Sequence, residues 1–111
     1  MSRRDPLLIL EDIKLAIQKI GRYTSQMDHD AFLRDELVID GVARNLEIIG
    51  EAARQLPDDF RRTYPQIPWT QIAGLRNRIV HDYFGLDLEI IWEIIQHDLP
   101  RLEKQVRVLQ N

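Results

Sequence analysis

The chain has 111 residues, 15 basic and 18 acidic side chains, a formal net charge of −3 and no cysteine. One domain's worth of chain buries somewhat under ~70% of its unfolded surface, and the missing thiols exclude disulfides and thiolate zinc sites. The charge excludes a global basic footprint for nucleic acid, so contact with RNA needs a local gathering of arginines, doubled if symmetry pairs two copies. No apolar run exceeds the four residues 7–10, far short of the ~20 that cross a bilayer. The start MSRRDP has no apolar core behind its arginines. A cytoplasmic protein with no membrane contact is expected.

Helical periodicity runs through the sequence, whereas period-two alternation and Asn-Gly or Asp-Gly turns are missing. Asp5-Pro6 predicts an N-cap and first helical residue, followed by a stripe of Leu7, Leu10, Ile13, Ile17 and Ile20 that frays near residues 23–26. Asp28 caps a second region, with a short piece at 30–33 before a long run at 36–56. In that run Val38, Ile39, Val42, Ala43, Leu46, Ile49, Gly50 and Ala53 share one arc. Asp40, Arg44, Glu47, Glu51 and Arg54 take the other. Pro57, Pro65 and Pro68 leave room only for a short helix around 58–63.

Residues 69–83 read as the next helix, opened by Pro68 and closed by Gly85. Asp87 caps the last, whose stripe is Ile91, Ile94, Ile95, Leu99, Leu102, Val106 and Leu109. Pro100 should bend or split it. Leu88, Ile90 and Trp92 make its first half apolar on more than one side, so it is either central or covered by a second subunit. These elements predict an all-α bundle of about four main helices.

The segment LRNRIVHDYF, residues 75–84, raises the functional question. At about 100° per residue, Trp69, Ile72, Ala73, Leu75, Ile79, Val80 and Tyr83 surround Arg76 on one helical face. Asn77, His81 and Phe84 border it, and Gln71, Arg78 and Asp82 point away. A guanidinium within an apolar stripe needs a partner or a watery recess. Two readings stay open: a buried ion pair with Glu47 or Glu51, or a cleft in which the arginine awaits an anion. His81 lies roughly 140° around the helix from Arg76. Two copies of this helix across a two-fold axis would gather two arginines and two histidines.

Other candidates are weaker. His29 and His97 have no partner at metal-ligand spacing and read as surface groups, since H-x-x-x-H and H-E-x-x-H are absent. Glu47 and Glu51 stand one turn apart, but Arg44 and Arg54 at three-residue spacing explain them as a solvated charge ladder. No metal site is expected. Trp69 and Trp92 read as core or interface anchors, and Tyr83 as a residue whose hydroxyl wants a partner.

Arg76-x4-His81-x-Tyr83 resembles the R-x4-H-x-Tyr signature of HEPN-domain proteins, specifically the HepT-type toxins of two-gene toxin–antitoxin modules. R-x4-H alone arises often by chance. LEIIGEAA (46–53), YPQIPWTQIAGLRN (64–77), HDYFGLD (81–87) and IIWEIIQHDLP (90–100) resemble the same subfamily in order, so the resemblance covers nearly the whole chain.

The resemblance implies one HEPN-like domain over residues 1–111, an antiparallel bundle of four to five helices that forms a homodimer with its signature helices facing across a cleft. It also implies a metal-independent ribonuclease of a type VII-like module, without cofactor, acting on RNA through Arg76 and His81 with Asn77 in support. Tyr83 corresponds to the tyrosine that a cognate minimal nucleotidyltransferase antitoxin adenylylates, and assembly with that antitoxin beyond the dimer stays open. The alternative is a non-catalytic HEPN-like module that holds a nucleotidyltransferase or a nucleotide. A third is a structural dimer whose Arg76 is merely salt-bridged.

Overall fold

A computed structural model describes residues 4–75, 77, 80–82 and 85–111, with the backbone alone at 80–82 and 85–86. Aspartates start most of its helices. Asp5 Oδ1 accepts from the Leu7 amide at 2.9 Å and opens α1, Pro6–Thr24, with proline in the first turn. Asp28 accepts from Ala31 at 2.8 Å at the head of α2, His29–Leu33. Asp35, which the sequence reading passed over, accepts from Val38 at 3.0 Å and opens α3, Glu36–Gln55.

A short α4, Asp58–Thr63, follows Pro57. Beyond it Phe60, Tyr64 and Trp69 pack as an aromatic cluster, and Trp69 Nε1 donates to the Tyr64 carbonyl at 3.0 Å. That ties the proline-rich linker to α5, Trp69–Ala73. The chain then forms β1, Val80–Asp82, and β2, Gly85–Leu86, an antiparallel pair. Asp87 accepts from Ile90 at 3.2 Å and starts α6, Leu88–Glu93. A π-helical turn, Ile94–Asp98, leads into α7, Leu99–Gln110.

Pro100 accounts for that turn. It has no amide hydrogen, and its ring crowds the carbonyl one turn back, so the helix widens and the Leu99 amide reaches Ile94 O. The expected interruption is therefore present as a π turn within a continuing helix.

The architecture is the all-α bundle read from the sequence, with one short ladder among the described residues. α1 packs on α3 and α7. Leu10, Ile13 and Ile20 of α1, Val42, Leu46 and Ile49 of α3, Ile91 of α6 and Val106 of α7 are wholly buried. Gln18 to Glu103 (3.4 Å) and Gln110 to Glu11 (2.8 Å) link α1 to α7 by side-chain hydrogen bonds. Two buried polar groups bond within their own helices: Thr24 to Ile20 O and Asn45 to Gly41 O, each at 2.8 Å. Leu7, expected in the stripe of α1, is 49% exposed instead. Among the described residues no helix is long and apolar enough to cross a membrane.

Candidate functional site

The first half of the signature segment sits as its periodicity requires. Trp69, Ile72 and Leu75 are buried, and Gln71 faces solvent. The uninterrupted helix expected over 69–83 does not form. α5 ends at Ala73, Gly74 makes a turn, Leu75 and Asn77 are again helical, and Val80 begins a strand. Glycine in mid-helix weakens the run, and β-branched Val80 favours extended backbone.

His81 lies in β1 at a register irregularity: Val80 pairs with Leu86 and Asp82 with Gly85, and the shift falls between them. Such bulges re-aim a strand locally and are over-represented beside active sites. Asn77 is exposed, and its amide donates to Gly74 O at 3.0 Å. Arg76 and Tyr83 lie outside the described residues, as does the side chain of His81.

α3 supplies the floor under α5. Gly50 is buried, and a Cβ there would stand 3.3 Å from Ile72 O and 3.4 Å from Ala73 O. One turn on, Arg54 Nη2 reaches Ala73 O at 3.5 Å. In the sequence Gly50 falls on the apolar arc and Arg54 on the polar arc, and neither place reveals its role. The small-residue run of Gly50, Ala52 and Ala53 was the available signal for a close helix approach.

Glu47 and Glu51 are both exposed, which removes them as buried partners for an arginine. They line a shallow recess with Arg4, Asp12 and Arg44. The expected ladder to Arg44 and Arg54 does not close among the described residues; Arg54 turns toward α5, and Arg4 pairs with Asp12 at 2.5 Å.

His97 Nε2 stands 3.4 Å from Glu93 Oε2, and both side chains are well exposed. His29 is more than a surface group. Its ring stacks on Trp92, and Nε2 lies 3.1 Å from Glu89 Oε2 without hydrogen-bond alignment. Among the described residues no three metal-capable side chains cluster.

A family model described as ribonuclease HepT-like matches residues 13–109. A Methanocaldococcus jannaschii protein named as a candidate RNase is 38% identical over 109 residues, covering 98% of this chain and all of that one. A Thermococcus cleftensis protein named as a probable ribonuclease HepT is 40% identical over 101 residues, 91% and 92% of the two chains. Among solved structures, a tri-AMPylated Shewanella oneidensis HEPN toxin in complex with its MNT antitoxin is similar at a TM-score of 0.66 and 26% identity. The match covers 96% of this chain and 98% of that one.

Proposed function

The chain belongs to the HepT-like ribonuclease family, and from that premise we propose that it is the toxin of a type VII-like toxin–antitoxin pair. It cuts RNA without a metal, through Arg76 and His81 gathered from two protomers into one cleft. One observation carries the reading: Arg76-x4-His81-x-Tyr83 stands intact within a family match that runs from residue 13 to 109.

The chemistry needs little else. RNA carries its own nucleophile. A histidine, with its ordinary pKa near neutrality, removes the 2′-hydroxyl proton. The 2′-oxygen attacks the adjacent phosphorus, a second histidine protonates the departing 5′-oxygen, and a 2′,3′-cyclic phosphate remains. Arg76 holds fixed positive charge against the pentacoordinate phosphorus. Asn77, exposed beside it, offers an amide to the same phosphate. The balanced net charge argues for a selective or structured RNA over avid non-specific binding.

Silencing follows from Tyr83. A minimal nucleotidyltransferase partner transfers AMP from ATP to its hydroxyl: the tyrosine oxygen attacks the α-phosphorus, the α–β bridge breaks, and pyrophosphate leaves. The new phosphodiester sets negative charge beside the arginine and obstructs the cleft. The solved relative is a HEPN toxin carrying AMP and bound to such an antitoxin, which supports this reading. The module then acts in the cytoplasm, where its RNA and its partner meet.

His81→Ala tests the catalysis. RNA cleavage and growth inhibition should vanish while the dimer persists in light scattering. Undiminished cleavage by the variant removes the nuclease reading and leaves the non-catalytic module. Intact-mass measurement after co-expression with the nucleotidyltransferase should show added AMP mapping to Tyr83. An unchanged mass, or AMP on another residue, overturns that part.

A further inference from the structure

We propose that Gly50 and Arg54, on successive turns of α3, are positioning residues that set where the backbone of the Arg76–His81 segment begins, an inference that rests on the nuclease reading above. A Cβ at Gly50 would stand 3.3 Å from Ile72 O, tighter than an ordinary contact by a few tenths of an ångström, and in bare van der Waals contact with Ala73 O at 3.4 Å. Glycine permits that approach because it has no side chain. Gly41, on the same helix, presents a contrast: its nearest neighbour is the Tyr23 ring at 3.1 Å, a side chain able to swing aside.

The carbonyls over Gly50 cannot yield alone. α5 is held at its start by the Trp69 indole on Tyr64 O and along its face by buried Ile72 and Leu75. Its internal bonds run from Ile72 N to Pro68 O and from Gly74 N to Thr70 O, each 3.0 Å. Gly74 O in turn accepts from Asn77 at 3.0 Å. A displacement at Ala73 therefore passes through Gly74 to Leu75 and Asn77, the neighbours of Arg76 on either side. Ala73 O is the last carbonyl of α5, at the helix end. The Arg54 guanidinium reaches it at 3.5 Å and holds the α5 terminus against α3 from the solvent side.

The test compares the full-length purified protein with Gly50→Ala, Gly41→Ala, Arg54→Met, Arg54→Lys and His81→Ala. Each is measured for Tm and for kcat and KM on total cellular RNA. A misplaced catalytic backbone loses turnover before binding, so Gly50→Ala should lower kcat by about tenfold or more with KM little changed. Its Tm should change little, since alanine's better helix propensity offsets the tightened contact. Gly41→Ala should retain wild-type kcat. Arg54→Met should lose kcat, and Arg54→Lys, which keeps a donor, should recover most of it.

Wild-type kcat in both Gly50→Ala and Arg54→Met overturns the positioning role. So does a loss that tracks falling Tm and is not recovered by lysine. If Gly50→Ala folds poorly, the Arg54 pair decides the matter. His81→Ala separates the two ideas: full activity there removes the nuclease reading and this inference with it, whereas an inactive His81→Ala beside a fully active Gly50→Ala and Arg54→Met removes the inference alone.

Discussion

The imidazole of His29 lies nearly parallel to the indole of Trp92, ring centroids 5.6 Å apart and planes 14° apart. Phe32 meets the same indole at 5.3 Å. Two residues of the short α2 thus clasp α6 through its partly buried indole. Five-residue helices have no stability of their own, so α2 depends on this contact and on its Asp28 cap. Phe32 is wholly buried, and Phe32→Ala is expected to lower unfolding stability by about 3–5 kcal/mol. Urea denaturation measures the loss, and hydrogen exchange should show the Ala31 and Phe32 amides losing protection first. A loss under about 1 kcal/mol, or α2 amides protected as in the wild type, refutes the clasp.

The same contact marks where the sequence was legible and where it was not. Ile91, Leu99, Leu102 and Val106 announce their helix by spacing, and Asp5, Asp28 and Asp87 announce helix starts, because burial and capping are local rules. What covers Trp92 is a long-range fact. The sequence left a second subunit as one possible cover, and α2 of the same chain supplies part of it. The break after Ala73 is hidden for a related reason: Trp69, Ile72 and Leu75 keep helical spacing, and spacing says nothing of the turn at Gly74 or the strand that begins at Val80. The signature at Arg76, Asn77, His81 and Tyr83 was visible as a resemblance of residue types in order. Its support from Gly50 and Arg54 was not, because a glycine in an apolar arc looks the same whether it fills space or admits a backbone.

Asp35 caps α3 through its carboxylate on the Val38 amide at 3.0 Å, and α3 carries the floor of the signature segment. Asp35→Ala leaves that amide without its acceptor and should cost about 1 kcal/mol. Asp35→Ser, able to cap, should recover most of the loss. Chemical denaturation of the three proteins gives the comparison, and equal midpoints for the alanine and serine variants would refute the cap.

Acid sensitivity should show a small contribution from Glu11. Its carboxylate is held below the usual range, first by the hydrogen bond with Lys14 and then by that from Gln110. A carboxyl whose folded pKa is depressed adds stability above its unfolded value and loses it as pH falls through the folded one. Wild type should therefore exceed Glu11→Gln near about pH 7 and lose that margin below about pH 4. The effect is slight because the carboxylate stays open to solvent on one side, where water and salt screen the pair. Urea midpoints across that interval provide the test, and a margin that widens toward acid contradicts the assignment.

Metal removal tests the chemistry most directly. A nuclease that uses the RNA 2′-hydroxyl needs a base, an acid and a positive charge. On the proposed reading, two histidines and two arginines from a dimer would supply all three, with no step left for a metal-activated water. Protein dialysed against a chelator should cleave RNA within about twofold of the untreated rate, and added magnesium or zinc should not raise it. One histidine acting as base and one as acid should give a bell-shaped pH–rate profile centred near about 6.5. Arg76→Lys keeps the charge but loses the fork that grips two phosphate oxygens, so kcat should fall while the pH profile keeps its shape. Activity that disappears with the chelator and returns with one particular cation would place the reaction in a different chemical class.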